Sequence, residues 1–72
     1  MRYNLPPVNP IVVGVDTGGT FTDFVLWREG RLRLLKLPST PHMPERAILD
    51  GLRHLLPDPP PHGFTLLHGT TV

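Results

Sequence analysis

The sequence predicts an α/β chain: three strands in antiparallel succession, then a helix, then a fourth strand that returns parallel to the first. Three observations carry this prediction. The apolar run Ile11–Val15 ends at Asp16 and a glycine pair, and extended character resumes at Thr22 with no helix between. A second turn, Arg28-Glu29-Gly30, separates that strand from Arg31–Leu37. Between residues 44 and 56 the apolar positions switch to helical period, and a short apolar strand, Phe64–Leu67, follows.

Taken in order, residues 1–10 carry prolines at 6, 7 and 10 and cannot donate a regular ladder, so they read as an extended arm. Ile11–Val15 is β-branched without alternation, as expected for a strand covered on both faces. Thr22–Trp27 is the second strand and Gly30 suits a positive φ in the turn after it. In Arg31–Leu37 the arginines at 31 and 33 are expected to face away from Leu32 and Leu34, leaving one face wet as befits an outer strand. Pro38–Pro44 is a loop with three prolines. Pro44 fits the first helical position and Glu45 the favoured negative charge behind it, whereas Met43 is a poor N-cap. Ile48, Leu49, Leu52, Leu55 and Leu56 form the apolar side of a helix of about three turns, which Pro57 closes. A stiff connector, residues 57–63, leads to the fourth strand and His68.

The glycine turn carries the chemistry. Adjacent glycines between strands can expose successive backbone N–H groups, and the hydroxyls of Thr17, Thr20 and Thr22 lie within reach of the same anion. Asp16 stands where the first strand ends. We read this as a phosphate-holding hairpin, against the plainer reading of a hairpin corner. The usual glycine-rich phosphate loops run into a helix, and the Walker pattern needs a lysine after its glycine; here a strand follows and the one lysine, Lys36, is outside the turn.

Composition narrows the remainder. A chain of 72 residues makes one small domain at most. Net charge is +1 with scattered basic residues, so no nucleic-acid footprint is expected. The absence of cysteine excludes disulfides and thiolate metal sites. No signal-peptide core or membrane-length apolar run occurs, which gives a cytoplasmic expectation. His42, His54 and His62 show no ligand spacing and read as solvated surface.

The stretch Val-Gly-Val-Asp-Thr-Gly-Gly-Thr-Phe-Thr-Asp resembles the first phosphate motif of the actin, sugar-kinase and chaperone ATPase superfamily. Its Thr-Phe-Thr-Asp continuation is similar to one branch, the N-terminal region of the hydantoinase/5-oxoprolinase family. Leu37-Pro38-Ser39-Thr40-Pro41 fits that family's pattern, and His68-Gly69-Thr70-Thr71-Val72 is similar to its second motif. The resemblance spans residues 11–72 and implies the opening of a ribonuclease-H-like half-domain, incomplete at its end, with the carboxyl ends of the first and fourth strands side by side.

The resemblance further implies ATP and Mg²⁺. Thr17, Gly18, Gly19, Thr20 and Thr22 would hold phosphates, joined by Gly69, Thr70 and Thr71. Asp16 would hold the metal, through water. Asp23 has two readings, a second metal contact or orienting group and a carboxylate satisfying turn amides. His68 likewise reads as a catalytic group by the motif or as a structural histidine. The implied reaction is ATP-dependent activation and hydrolysis of a cyclic amide, with a related carboxylase and a sugar or acyl kinase as alternatives. A non-enzymatic interaction module is the alternative outside enzymes. Implied partners are the remainder of a longer subunit and a second subunit of the hydantoinase B type. As a truncated piece the chain alone is not expected to turn over ATP.

Overall fold

The computed structural model describes residues 10–70. The elements follow in the expected order: β1 Val12–Thr17, β2 Phe21–Arg28, β3 Arg31–Pro38, α1 Pro44–Leu55 and β4 Thr65–Thr70. They form one four-stranded mixed sheet in the order β3-β2-β1-β4. The first three strands are joined as antiparallel hairpins and β4 lies parallel to β1, a connection that needs a crossover element, here α1. All but the last residue of the expected arm, residues 1–10, lies outside the described residues, as does Thr71.

The β2–β3 turn has positive φ at both central residues, Glu29 at 54° and Gly30 at 73°. This is the turn whose twist matches that of the flanking strands. Helix α1 begins as the sequence predicts, with Pro44 at its start and Glu45 in the first turn. Met43 makes no side-chain cap. Thr40 substitutes from outside the helix: its hydroxyl donates to the Met43 carbonyl at 2.7 Å and accepts the Ala47 N–H at 3.1 Å. At the far end the Leu56 N–H closes the last turn on Leu52 O, ahead of Pro57.

Side chains alternate along a strand, so the sheet has two unlike faces. On one, Val13, Val15, Phe24, Leu26 and Thr22 are buried beneath α1, whose Ala47, Gly51, Leu55 and Leu56 complete the core. On the other lie Val25, Trp27, Leu32 and Leu34, all exposed. Cover for β1 on both faces was the expectation, but among the described residues only one face is covered. In β3 the register sets Arg31 and Arg33 on the face opposite Leu32 and Leu34, as expected, and fixes which face each pair takes. Leu35 pairs with Phe24 and Leu37 with Thr22, so these turn toward the helix while Leu32 and Leu34 point away. On the helix, Ile48, Leu52, Leu55 and Leu56 meet the core as the spacing predicts, whereas Leu49 is exposed and the small residues Ala47 and Gly51 are buried. A Cβ at Gly51 would overlap the Phe24 ring, 2.1 Å from Cζ, so this glycine sets how closely the helix approaches the sheet. No described helix is long and apolar enough to cross a membrane.

Candidate functional site

The candidate site lies at the carboxyl ends of β1 and β4, the place where open α/β sheets gather ligands. Parallel pairing sets Asp16 beside Gly69 and Thr17 beside Thr70. Antiparallel pairing sets Asp16 directly opposite Asp23, and Asp23 opposite Lys36. Asp16, Asp23, Lys36 and Gly69 therefore share the face away from α1. Lys36 Nζ stands 3.5 Å from Asp23 Oδ1 and 5.0 Å from the centre of the Phe21 ring. Both partners of the ion pair are about half exposed, so its contribution to stability is small.

His68 and Thr17 are on the other face. His68 Nε2 lies 2.9 Å from Thr17 Oγ1, a hydrogen bond that ties β4 to β1 at the open end of the sheet. The structure thus brings together the carboxylates Asp16 and Asp23 but sets His68 across the sheet from them. Alternation along the strands makes that division unavoidable for residues at these register positions.

Between β1 and β2 the turn is narrow. The Gly18 N–H donates to the Phe21 carbonyl at 3.0 Å, so one of the four turn amides is spent within the hairpin. Among the described residues, no acceptor takes the N–H of Gly19 or Thr20, and both residues are exposed. Neither Gly18 nor Gly19 has a positive φ. A Cβ at Gly18 would meet the Phe21 carbonyl at 3.0 Å, whereas one at Gly19 would meet nothing within 4 Å. Nothing in the described protein therefore demands glycine at 19.

Thr22 occupies a different environment from the other threonines of the motif. It is fully buried on the helix side, with its Oγ1 3.0 Å from Ser39 Oγ. Ser39 in turn donates its hydroxyl to Gly18 O at 2.6 Å and its backbone N–H to Thr20 O at 2.8 Å. An open hollow of about 220 Å³ lies between the glycine turn and the β3–α1 loop, bordered by Thr17, Gly18, Gly19, Ser39, Thr40, Pro41 and Pro44. The hydroxyl protons of Ser39 and Thr40 are both committed to carbonyls, so this hollow offers an anion few donors. Sequence reasoning missed Ser39 and Lys36 as members of the site. Ser39 lay within a recognised stretch without a role, and only strand register reveals Lys36.

Among the described residues no three ligating side chains cluster as a metal centre. The donor set still suits magnesium, which keeps most of its water and takes one or two carboxylates together with phosphate oxygens. Asp16 and Asp23, paired across the hairpin, are such carboxylates.

The family model described as hydantoinase/oxoprolinase N-terminal region matches residues 12–72. The chain is 50% identical over 44 residues to caprolactamase subunit alpha of Pseudomonas jessenii, a match covering 60% of this chain and 6% of that protein. It is 53% identical over 30 residues to the acetophenone carboxylase gamma subunit of Aromatoleum aromaticum, covering 42% of this chain and 4% of that subunit. The matched stretches are thus a small part of these relatives' lengths.

Proposed function

Because the chain belongs to the family of hydantoinase/oxoprolinase N-terminal regions, we propose that it forms the phosphate-holding part of an ATP-dependent enzyme acting on a cyclic amide. The observation that carries this reading is the pair of adjacent N–H groups of the exposed residues Gly19 and Thr20, which no described acceptor takes. Two such donors, in the turn that joins the strands of Asp16 and Asp23, would meet the two needs of a metal-bound phosphate, hydrogen bonds to its oxygens and anionic ligands for its counterion. Gly19 fits the same picture, since nothing lies within 4 Å of its Cβ position and a ligand can come close to the backbone there.

In this reading the Gly19 and Thr20 amides and the Thr17 and Thr20 hydroxyls orient the terminal phosphates of ATP. Asp16 and Asp23 would hold magnesium, with Lys36 balancing part of the negative charge. Magnesium, when bound, neutralises charge that develops on the transferring phosphoryl group. ATP would pass its terminal phosphoryl group to the carbonyl oxygen of the ring and leave as ADP; water would then add at that carbon, the ring C–N bond would break, and a second water would release inorganic phosphate from the resulting acyl phosphate. Gly69 and Thr70 border the site from β4. His68, hydrogen-bonded to Thr17 Oγ1 at 2.9 Å, holds that hydroxyl in place.

Two relatives bear on the substrate. The name caprolactamase designates action on a lactam, which favours cyclic-amide hydrolysis, and the name acetophenone carboxylase supports carboxylation of a carbonyl compound as the second reading. Activation of a carbonyl oxygen by ATP serves both. Both names designate subunits, which supports a partner subunit for this protein as well, and dependence on ATP favours the cytoplasm.

The test is Asp16→Asn in the full-length protein, assayed for ATP-dependent lactam opening. Turnover is expected to fall about a hundredfold or more. Unchanged turnover removes Asp16 from the mechanism. A requirement for bicarbonate in the unmodified protein would favour the carboxylase reading.

A further inference from the structure

We infer that Ser39, in the loop between β3 and α1, is the positioning residue of the glycine turn, and that Thr22 acts through it rather than on phosphate. The inference rests on the reading of the turn as a phosphate site. It begins with a count of protons. Ser39 has one hydroxyl proton and donates it to Gly18 O at 2.6 Å. The 3.0 Å contact between Ser39 Oγ and Thr22 Oγ1 must then be donated by Thr22. The result is a directed chain, Thr22 hydroxyl to Ser39 hydroxyl to Gly18 carbonyl, in which each bond polarises the next. Thr22 is buried and its proton is committed, so it has none to offer a ligand.

The chain controls a donor it does not touch. The Gly18 carbonyl and the Gly19 N–H belong to one planar trans peptide and point in opposite directions. Fixing the carbonyl on Ser39 therefore aims the Gly19 N–H away from Ser39 and out of the protein. Ser39 also takes the far shoulder of the turn, since its own N–H donates to Thr20 O at 2.8 Å. A single residue thus grips both ends of the Gly18–Thr20 turn, leaving only the Gly19–Thr20 peptide between the anchored carbonyls. Without that grip the Gly18–Gly19 peptide, flanked by glycines, would be free to rotate and the amide would lose its direction. Preorganised donors are effective because they need no reorientation when the ligand arrives.

The experiment compares the full-length protein with its Ser39→Ala, Ser39→Thr and Thr22→Val variants, measuring the KM for ATP, kcat, Mg·ATP affinity by calorimetry and the midpoint of urea unfolding. Ser39→Ala is expected to raise the KM and the dissociation constant for ATP about tenfold or more, from the loss of two partly buried hydrogen bonds and the freed turn. The fall in kcat should be smaller. Ser39→Thr, which keeps the hydroxyl, restores affinity. Thr22→Val keeps the branched shape and shifts affinity in the same direction by less, and it decides the matter if Ser39→Ala does not fold. A variant that loses stability but binds ATP as the unmodified protein does overturns the positioning role and leaves the phosphate reading intact. Failure of the unmodified protein to bind Mg·ATP overturns the phosphate reading, and this inference with it.

Discussion

The two faces of the sheet are built from similar side chains and have opposite fates. On the helix side, Val13 and Phe24 are exposed by no more than 1%. On the far side, Val25 is 39% exposed, Trp27 41% and Leu34 76%, although these residues alternate with buried ones along the same strands. Hydrophobicity therefore does not by itself tell which face is core. The presence of α1 on one side does. Each buried side chain of this size contributes roughly 1.5–3 kcal/mol over an exposed one, so the two faces should differ sharply when probed by substitution.

Phe24→Ala should show the largest effect, since it removes the ring at the centre of the helix–sheet contact; a loss of about 3–5 kcal/mol by urea unfolding is expected. Gly51→Ala comes next. It adds one methyl group where the Phe24 ring already stands, and overpacking of this kind costs roughly 1–3 kcal/mol. Combining it with Phe24→Leu should recover part of the loss, because the smaller side chain vacates the space. Leu34→Ser on the open face should change stability by no more than about 0.5 kcal/mol. A loss there comparable to that of Phe24→Ala would break the comparison, because it would mean that the second face is covered in the protein.

The same contrast separates what the sequence disclosed from what it withheld. Strand order, both hairpins, the helix from Pro44 and the parallel return of β4 were all legible, because each leaves a local mark: a glycine turn, a change of apolar period, a proline. The phase of β3 was not. Leucines at 32, 34, 35 and 37 occupy both parities, and only pairing with β2 decides that Leu35 and Leu37 face the helix. The helix face was legible in Ile48, Leu52, Leu55 and Leu56, which meet the core, but not in full. A search for large apolar residues passes over Ala47 and Gly51, whose small size is what lets the helix come close.

At the site, the motif disclosed which residues gather but not their division between two faces. Asp16 and Asp23 stand apart from Thr17 and His68 because neighbouring positions on a strand point to opposite sides. Thr22 looks equivalent to Thr20 in the sequence, yet one is buried and the other exposed. Its partner Ser39 is 17 positions away, and no local pattern announces a hydrogen bond over that distance.

The parallel pairing of β4 with β1 has a consequence in chain entropy. The glycine turn and Ser39 are joined through successive hairpins and lie 21 positions apart, whereas Thr17 and His68 meet across 51. The entropy lost in closing a loop grows with the logarithm of its length, so the second closure is the dearer. Local hairpin contacts can define the turn before any long-range contact rewards the chain for bringing in β4. The two halves of the site thus rest on unequal foundations: one is fixed by its neighbours in sequence, and the other is held by a strand that must return from far along the chain.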